Sequence, residues 1–252
     1  MKMMIGAFVV GISLLSLGLA RPVADIKTSG SLIFGNSRDY PPFYSVEKGS
    51  LVGFEIDFGA ALAQRLGLKA EWRNVSFDSL FAKLGENKID VALASHTITA
   101  NREKYVDFVI PHYCTGTVII ALVGKALDVE GLRGKVVSAS QSSSFAEYGR
   151  NIPGIKQVKT FTTELEAFKA MQSGKTDAYI SDRLAALAFA KKYPTPRVNL
   201  SPLLTEDRIA MAVKKGNTEL LKLLSDSVEA MKRDGSINRI ASRYFSGNVV
   251  CD

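Results

Sequence analysis

Residues Asp90 to Tyr113 read D-V-A-L-A-S-H-T-I-T-A-N-R-E-K-Y-V-D-F-V-I-P-H-Y. The short apolar run Val91 to Ala94 has the pattern of a buried parallel strand. Ser95, His96 and Thr97 then turn the chain into a short helix, with Thr99 as its N-cap and Arg102 in its first turn. A cation there works against the helix, because the first turn already carries unpaired N–H groups and partial positive charge. A carboxylate facing the turn reverses that penalty, since amides, two hydroxyls and a guanidinium fork would all donate to it. A solvated Arg102 paired with Glu103 is the plainer reading, and this stretch by itself leaves the two open.

Outward from that stretch, the limits are set by the chain's start, its charge and its cysteines. Residues 1–20 hold one early lysine, a long apolar run and small residues at Gly18 and Ala20, the form of a secretory signal cut after Ala20. Roughly 230 residues remain, enough for one large domain or two smaller ones. The formal charge of +7 falls by one when Lys2 leaves, and the excess is spread along the chain without a basic block. That pattern speaks against nucleic acid as a partner and suits acidic partners or anionic solutes. Cys114 and Cys251 are the two cysteines. In an oxidising compartment they form either one bridge from mid-chain to the tail or two free thiols, and spacing does not decide geometry. With two histidines beside them and no ligand spacing, no metal site and no cofactor is expected.

The remaining elements alternate between strand and helix. Ser31 to Asn36 reads as a buried strand that breaks at the Tyr40-Pro41-Pro42-Phe43 turn. An exposed Tyr40 at a strand's C-terminal end is well placed to cover a ligand. Phe58, Ala61, Leu62 and Leu66 recur at helical spacing, with Gly67 as the stop, and Phe77, Leu80, Phe81 and Leu84 form a second helical face. Glu55 and Asp57 are read as the acids expected at a helix start. Ser144-Phe145-Ala146-Glu147 has capping-box form, which makes Ser144 an N-cap. Leu220, Leu224, Val228 and Met231, then Ile237, Ile240, Ala241, Tyr244 and Phe245, give two closing amphipathic helices expected to return to the first lobe.

An internal echo fixes the architecture. Phe81 to Ser95 aligns with Phe168 to Asp182, so that Lys88 matches Lys175 and Asp90 matches Asp177. Each copy is a helix, a turn carrying lysine and a strand ending in a polar residue, Ser95 in one and Asp182 in the other. Two such units imply two sheets and two lobes. The expected fold is α/β, with two lobes joined by a two-segment hinge. Residues 21–113 and 208–252 make the first lobe and residues 114–207 the second.

The chain resembles the periplasmic solute-binding proteins of polar amino-acid ABC transporters, bacterial extracellular solute-binding protein family 3. The resemblance rests on G-F-E-I-D-F-G-A-A-L-A at Gly53 to Ala63 and S-H-T-I-T-A-N-R-E-K-Y-V-D-F at Ser95 to Phe108. R-G-K-V-V, Q-S-S-S, Y-I-S-D and the end around Ala241 to Phe245 follow in the family's order. It implies that Arg102, Thr97 and the Ser144 turn hold a ligand α-carboxylate. Asp182 and the Ser95 region would take the α-ammonium, while Tyr40 and Phe77 sandwich the aliphatic part. A zwitterion caught between groups on different lobes rewards closure. Ser37 stands where binders of basic amino acids usually place an acid, and Ser140 and Ser181 replace larger or charged side chains. These serines offer no obvious counter-charge, so a neutral or small polar amino acid is expected, with His96 packed behind the turn.

The implied protein is a periplasmic, non-enzymatic monomer that serves the permease subunits of an ABC importer. The rival is a cyclohexadienyl (prephenate or arogenate) dehydratase on the same fold, which would need Asp182 as a general acid. Pairing with an ammonium would keep that group ionised. Neither a nucleophile elbow nor a triad order supports a hydrolase. A receptor ectodomain would need a membrane span beyond the leader.

Overall fold

The computed structural model describes residues 20–125 and 127–251. Except for Ala20, the expected signal lies outside them. The chain opens with α1 (Val23–Ser29) and β1 (Ser31–Asn36), then a small antiparallel ribbon of β2 (Asp39–Tyr40), β3 (Tyr44–Glu47) and β4 (Ser50–Val52). Next come α2 (Phe54–Arg65), β5 (Lys69–Asn74), α3 (Leu80–Gly85), β6 (Val91–Thr97), β7 (Val106–Phe108) and β8 (Tyr113–Thr115). The second half holds β9 (Thr117–Leu122), β10 (Val136–Ser140), α4 (Ser144–Asn151), β11 (Gln157–Phe161), α5 (Glu164–Gln172), β12 (Ala178–Asp182), α6 (Arg183–Lys192) and β13 (Val198–Leu200). β14 (Asp207–Lys214), α7 (Thr218–Arg233) and α8 (Ser236–Ala241) close the chain.

Two larger sheets organise these elements, with the same plan. The first runs β5-β1-β6-β14-β7, with β8 also on β14, and the second runs β11-β10-β12-β9-β13. In each, three parallel strands are followed by two antiparallel pairings. The sequence echo falls on equivalent positions of that plan. Asp90 donates its N–H to the carbonyl of Ile33 at 2.9 Å, and its Oδ2 accepts the Ile33 N–H at 2.9 Å. Asp177 does the same with Val136, at 2.7 and 2.8 Å. Each aspartate closes the start of one central strand onto its parallel neighbour, a role that a carboxylate at that register can fill twice over.

Apolar spacing sets what covers the sheets. Phe58, Leu62 and Ala63 of α2 are fully buried, as are Leu224 and Val228 of α7. α7 and α8 pack on α2, so the closing helices return to the first lobe.

The chain passes between sheets twice, at Thr115 to Thr117 and again before Asp207, forming a two-segment hinge. The two crossings touch. Thr117 N donates to Thr205 Oγ1 at 3.0 Å, and Thr117 Oγ1 donates to Asp207 Oδ2 at 3.1 Å. Gly116 is required there, since a Cβ would lie 2.1 Å from the carbonyl oxygen of Thr205. A disulfide joins Cys114, beside the first crossing, to Cys251 in the tail.

Three local expectations are corrected. β6 does not stop at Ala94 but continues to Thr97. It passes through Ser95 at φ 53°, opposite a register break between Ala210 and Ala212. The turn carrying Arg102 is one 3-10 turn, Arg102–Lys104, although Thr99 Oγ1 does accept the Arg102 N–H at 3.3 Å. The cap of α4 is Ser143, whose Oγ accepts from Ala146 N at 3.1 Å, so Ser144 is the first helical residue and not the cap.

Candidate functional site

A cavity of about 290 Å³ lies between the two sheets. The first sheet's side supplies Ser37, Asp39, Tyr40, Phe77, Ser95, Thr97 and Arg102, and the second supplies Ser140, Ser144 and Glu164. Seven of the eight ligand-contact residues named from the sequence therefore share one hollow: Ser37, Tyr40, Phe77, Ser95, Thr97, Arg102 and Ser144.

The walls meet at one end of the cavity. The Thr97 and Ser144 hydroxyl oxygens stand 3.1 Å apart. The Arg102 guanidinium spans the cleft, donating to the Thr97 carbonyl at 2.9 Å and to the Ser142 carbonyl at 3.3 Å. Its charge also lies 5.6 Å from the centre of the Phe77 ring. Gln141 Nε2 donates to Asp78 Oδ2 at 3.2 Å, a further contact between the lobes. Burial lowers the Arg102 pKa to about 10, which leaves it charged at neutral pH. Behind Phe77, the His96 ring stacks at 4.7 Å and 15°. Burial, with the Arg102 charge second, holds the His96 pKa well below its usual value, so it packs as a neutral ring.

Ser95 owes its left-handed backbone to a buried carboxylate. Glu55, 0% exposed, accepts the Ser95 N–H at 2.9 and 3.0 Å and the Ser95 hydroxyl at 3.0 Å. His112 Nε2 lies 2.9 Å from the other side of the same carboxylate. A non-glycine residue at positive φ costs free energy and persists only where neighbours hold it. The reading of Glu55 as a helix-start acid thus understated its role.

Two placements depart from expectation. Asp182, 2% exposed, does not line the cavity. It is the N-cap of α6, its Oδ1 accepting from Ala185 N at 2.9 Å, and burial raises its pKa to about 7. A carboxylate at the end of β12 is drawn to the first free amides of the helix that follows. Tyr40 is buried, at 7% exposure, and not the exposed lid residue expected.

The serines predicted to leave the cavity without counter-charge instead lead to acids. Ser37 Oγ donates to Asp39, while Ser140 Oγ and Ser181 Oγ donate to the two oxygens of Glu164. Tyr179 OH also donates to Glu164. Burial raises the pKa of both Asp39 and Glu164, and these hydroxyl bonds oppose it. Ser181 itself is buried behind the wall, outside the lining. Neither acid was legible as a site residue. Asp39 lies two positions beyond Ser37, and Glu164 occupies an ordinary place for an acid in a helix's first turn.

Two α/β lobes on a touching hinge, closed over a cavity furnished by both, define a clamshell receptor for a small solute. The chain belongs to the bacterial extracellular solute-binding proteins, family 3, which it matches over residues 32–247. It is 31% identical to the L-cystine-binding protein TcyJ of Escherichia coli (strain K12), over 99% of this chain and 95% of that one. It is 28% identical to the L-arginine-binding protein of Pseudomonas aeruginosa, over 83% of this chain and 86% of that one. Among solved structures, an ancestral arginine-binding protein bound to arginine superposes with a TM-score of 0.81 and 35% identity, over 86% of this chain and 99% of that one. The ancestral amino acid-binding protein AncCDT-1, a precursor of cyclohexadienyl dehydratase, superposes with a TM-score of 0.83 and 29% identity, over 89% and 99%.

Proposed function

We propose that this protein captures a free amino acid between its lobes outside the cytoplasm and delivers it to the membrane subunits of an ABC importer. Residues 1–20 serve as its export signal in this reading. The observation that carries it is the charge layout of one closed cavity. Arg102, with the Thr97 and Ser144 hydroxyls, faces the place for an α-carboxylate, and the buried Glu164 and half-buried Asp39 stand elsewhere on the wall. A guanidinium fork and hydroxyl donors suit a carboxylate, and acids suit an ammonium. Because Thr97 and Ser144 come from different lobes, a ligand bonded to both favours the closed state.

Asp182 is set aside as the ammonium partner, since its carboxylate caps α6. The amino group belongs instead to an acid that lines the cavity. The names of the cystine- and arginine-binding relatives support an amino-acid ligand.

We read the protein as a binder without catalytic activity. A dehydratase needs a positioned general acid. Asp182 has the raised pKa for that role but not the placement. Glu164 has the placement, with three hydroxyls already donating to it. Calorimetry with a panel of free amino acids tests the reading. At least one micromolar ligand is expected, with Arg102→Ala weakening it more than a hundredfold. Incubation with prephenate and arogenate should yield no phenylpyruvate or phenylalanine. Product, or a panel without any binder, would refute the assignment.

A further inference from the structure

Arg102 is the one cation among the cavity-lining residues described, against the carboxylates Asp39, Asp78 and Glu164. Asp78 is exposed and shared with solvent, whereas Asp39 is half-buried and Glu164 is 8% exposed. The sheltered charges therefore sum to one negative in excess. A simple zwitterion cancels none of that excess, and leaving an ion uncompensated in a sheltered site is costly.

Glu164 is also held in a way that keeps it a strong acceptor. Ser140 Oγ donates to one oxygen, and Tyr179 OH and Ser181 Oγ donate to the other. No cation pairs with it among the described residues. A second observation is independent of the acids. Tyr40, 7% exposed, lines the same cavity, and its buried hydroxyl has no hydrogen-bond partner. A buried hydroxyl without a partner is rare in a finished interior, and it becomes satisfied when a ligand supplies the missing group. α5, which begins with Glu164, packs against β2, which holds Asp39 and Tyr40, so the three groups stand where the two lobes face each other.

We propose that Glu164 and the Tyr40 hydroxyl form a second recognition point, one that takes a cationic group of the ligand beyond its α-ammonium, while Asp39 takes the α-ammonium itself. The ligand class is thereby an amino acid with a second ammonium or a guanidinium, in place of the neutral or small polar side chain expected from the serines. This rests on the amino-acid reading above and adds to it the ligand's distal charge. Two sources carry such a group: a basic side chain, which cancels the excess, or the far half of a disulfide-linked amino acid, whose ammonium can meet Glu164 but whose own carboxylate leaves the net excess in place.

The test compares matched pairs by calorimetry on the full mature chain. L-Arginine is set against L-citrulline, its uncharged near-isostere, and L-cystine against S-methyl-L-cysteine, which lacks the second head. In at least one pair the ligand with the extra cation should bind ten times more tightly or better, and the pair identifies the source. Glu164→Gln should bring that ratio below threefold, whereas Asp39→Asn should weaken both members of a pair alike, with circular dichroism confirming folded variants. Ratios within twofold in both wild-type pairs would overturn the proposal. So would a Glu164→Gln variant that weakens both members of a pair equally, which would make Glu164 the α-ammonium's partner. Arg102→Ala separates the two readings. If it leaves binding intact, the carboxylate assignment fails, whatever the pair ratios show.

Discussion

Thr97, at the end of β6, and Ser144, at the start of α4, bring their hydroxyl oxygens to 3.1 Å across the cleft. The contact exists because Ser143, not Ser144, caps α4 and spends its oxygen on Ala146 N. Ser144, one position inside the helix, is left with a hydroxyl not spent on the cap, and it meets Thr97 of the opposite lobe. Either oxygen can donate, so a carboxylate arriving beside Arg102 finds two O–H groups able to turn toward it.

From this, Thr97→Val and Ser144→Ala should each weaken ligand binding about fivefold, the effect of about 1 kcal/mol for a neutral hydrogen bond. Together they should fall short of the sum, because each change frees the partner hydroxyl for the ligand. Calorimetry on the two single variants and the double variant measures this, and strict additivity would show that the pair does not act as one unit.

Glu55 supports the cavity from underneath without touching it. Glu55→Ala would leave the half-buried Ser95 N–H and hydroxyl and the fully buried His112 Nε2 without their shared acceptor. Losing one partner of such a buried cluster costs about 3–5 kcal/mol. Denaturant unfolding of the variant should show that loss. Ser95, no longer held at positive φ, should relax, and ligand affinity should fall in those molecules that remain folded. An unchanged midpoint would mean that the carboxylate is dispensable.

Asp182 makes stability depend on pH in a stated direction. Its pKa is raised by burial from 3.8 to about 7 in the folded chain. Between about pH 4 and pH 7 the folded state keeps a proton that the unfolded state gives up, so stability is greatest below that window and falls as pH rises through it. Asp39, Asp90, Glu164 and Asp207 are raised too, mainly by burial, and push the same way. Asp182→Asn isolates one contribution, because asparagine caps a helix about as well as aspartate. Relative to wild type, the variant should gain stability between pH 4.5 and 7.5, by up to roughly 4 kcal/mol at the upper end. Parallel pH profiles for the two proteins would contradict the assignment.

The sequence made the double architecture readable through Asp90 and Asp177. Their match at a fixed offset reflected an equivalent backbone contact in each sheet. Most of the cavity was readable too, through the family resemblance carried by the Ser95 to Phe108 stretch, since the chemistry of the Arg102 turn alone left two readings open. Two things were hidden for physical reasons. A cap is decided by which oxygen reaches an amide, and four residues from Gln141 to Ser144 offered three serines for one position. Glu164 looked like any acid in a helix's first turn, and what sets it apart are hydroxyls from Ser140, Tyr179 and Ser181 on two other strands. Asp182 erred the other way: the same strand end that could point a carboxylate at a ligand also began a helix with amides to satisfy.

The bridge between Cys114 and Cys251 closes a loop of sequence separation 137 and fixes the tail beside the first hinge crossing, where Cys114 N also donates to the Val249 carbonyl at 2.7 Å. On the chain-entropy view, a cross-link of that span stabilises the folded chain by about 5 kcal/mol at most. Cys114→Ser combined with Cys251→Ser should therefore lower the melting temperature by roughly 10 °C, at about 2–4 °C per kcal/mol for a chain of this size. Neither cysteine lines the cavity, so ligand affinity at 25 °C should stay within threefold of wild type. Thermal unfolding with and without a reducing agent checks the first expectation, and calorimetry on the double variant checks the second. A variant that melts normally but binds more than tenfold less tightly would show that the tail governs hinge closure, and that the bridge acts on function before stability.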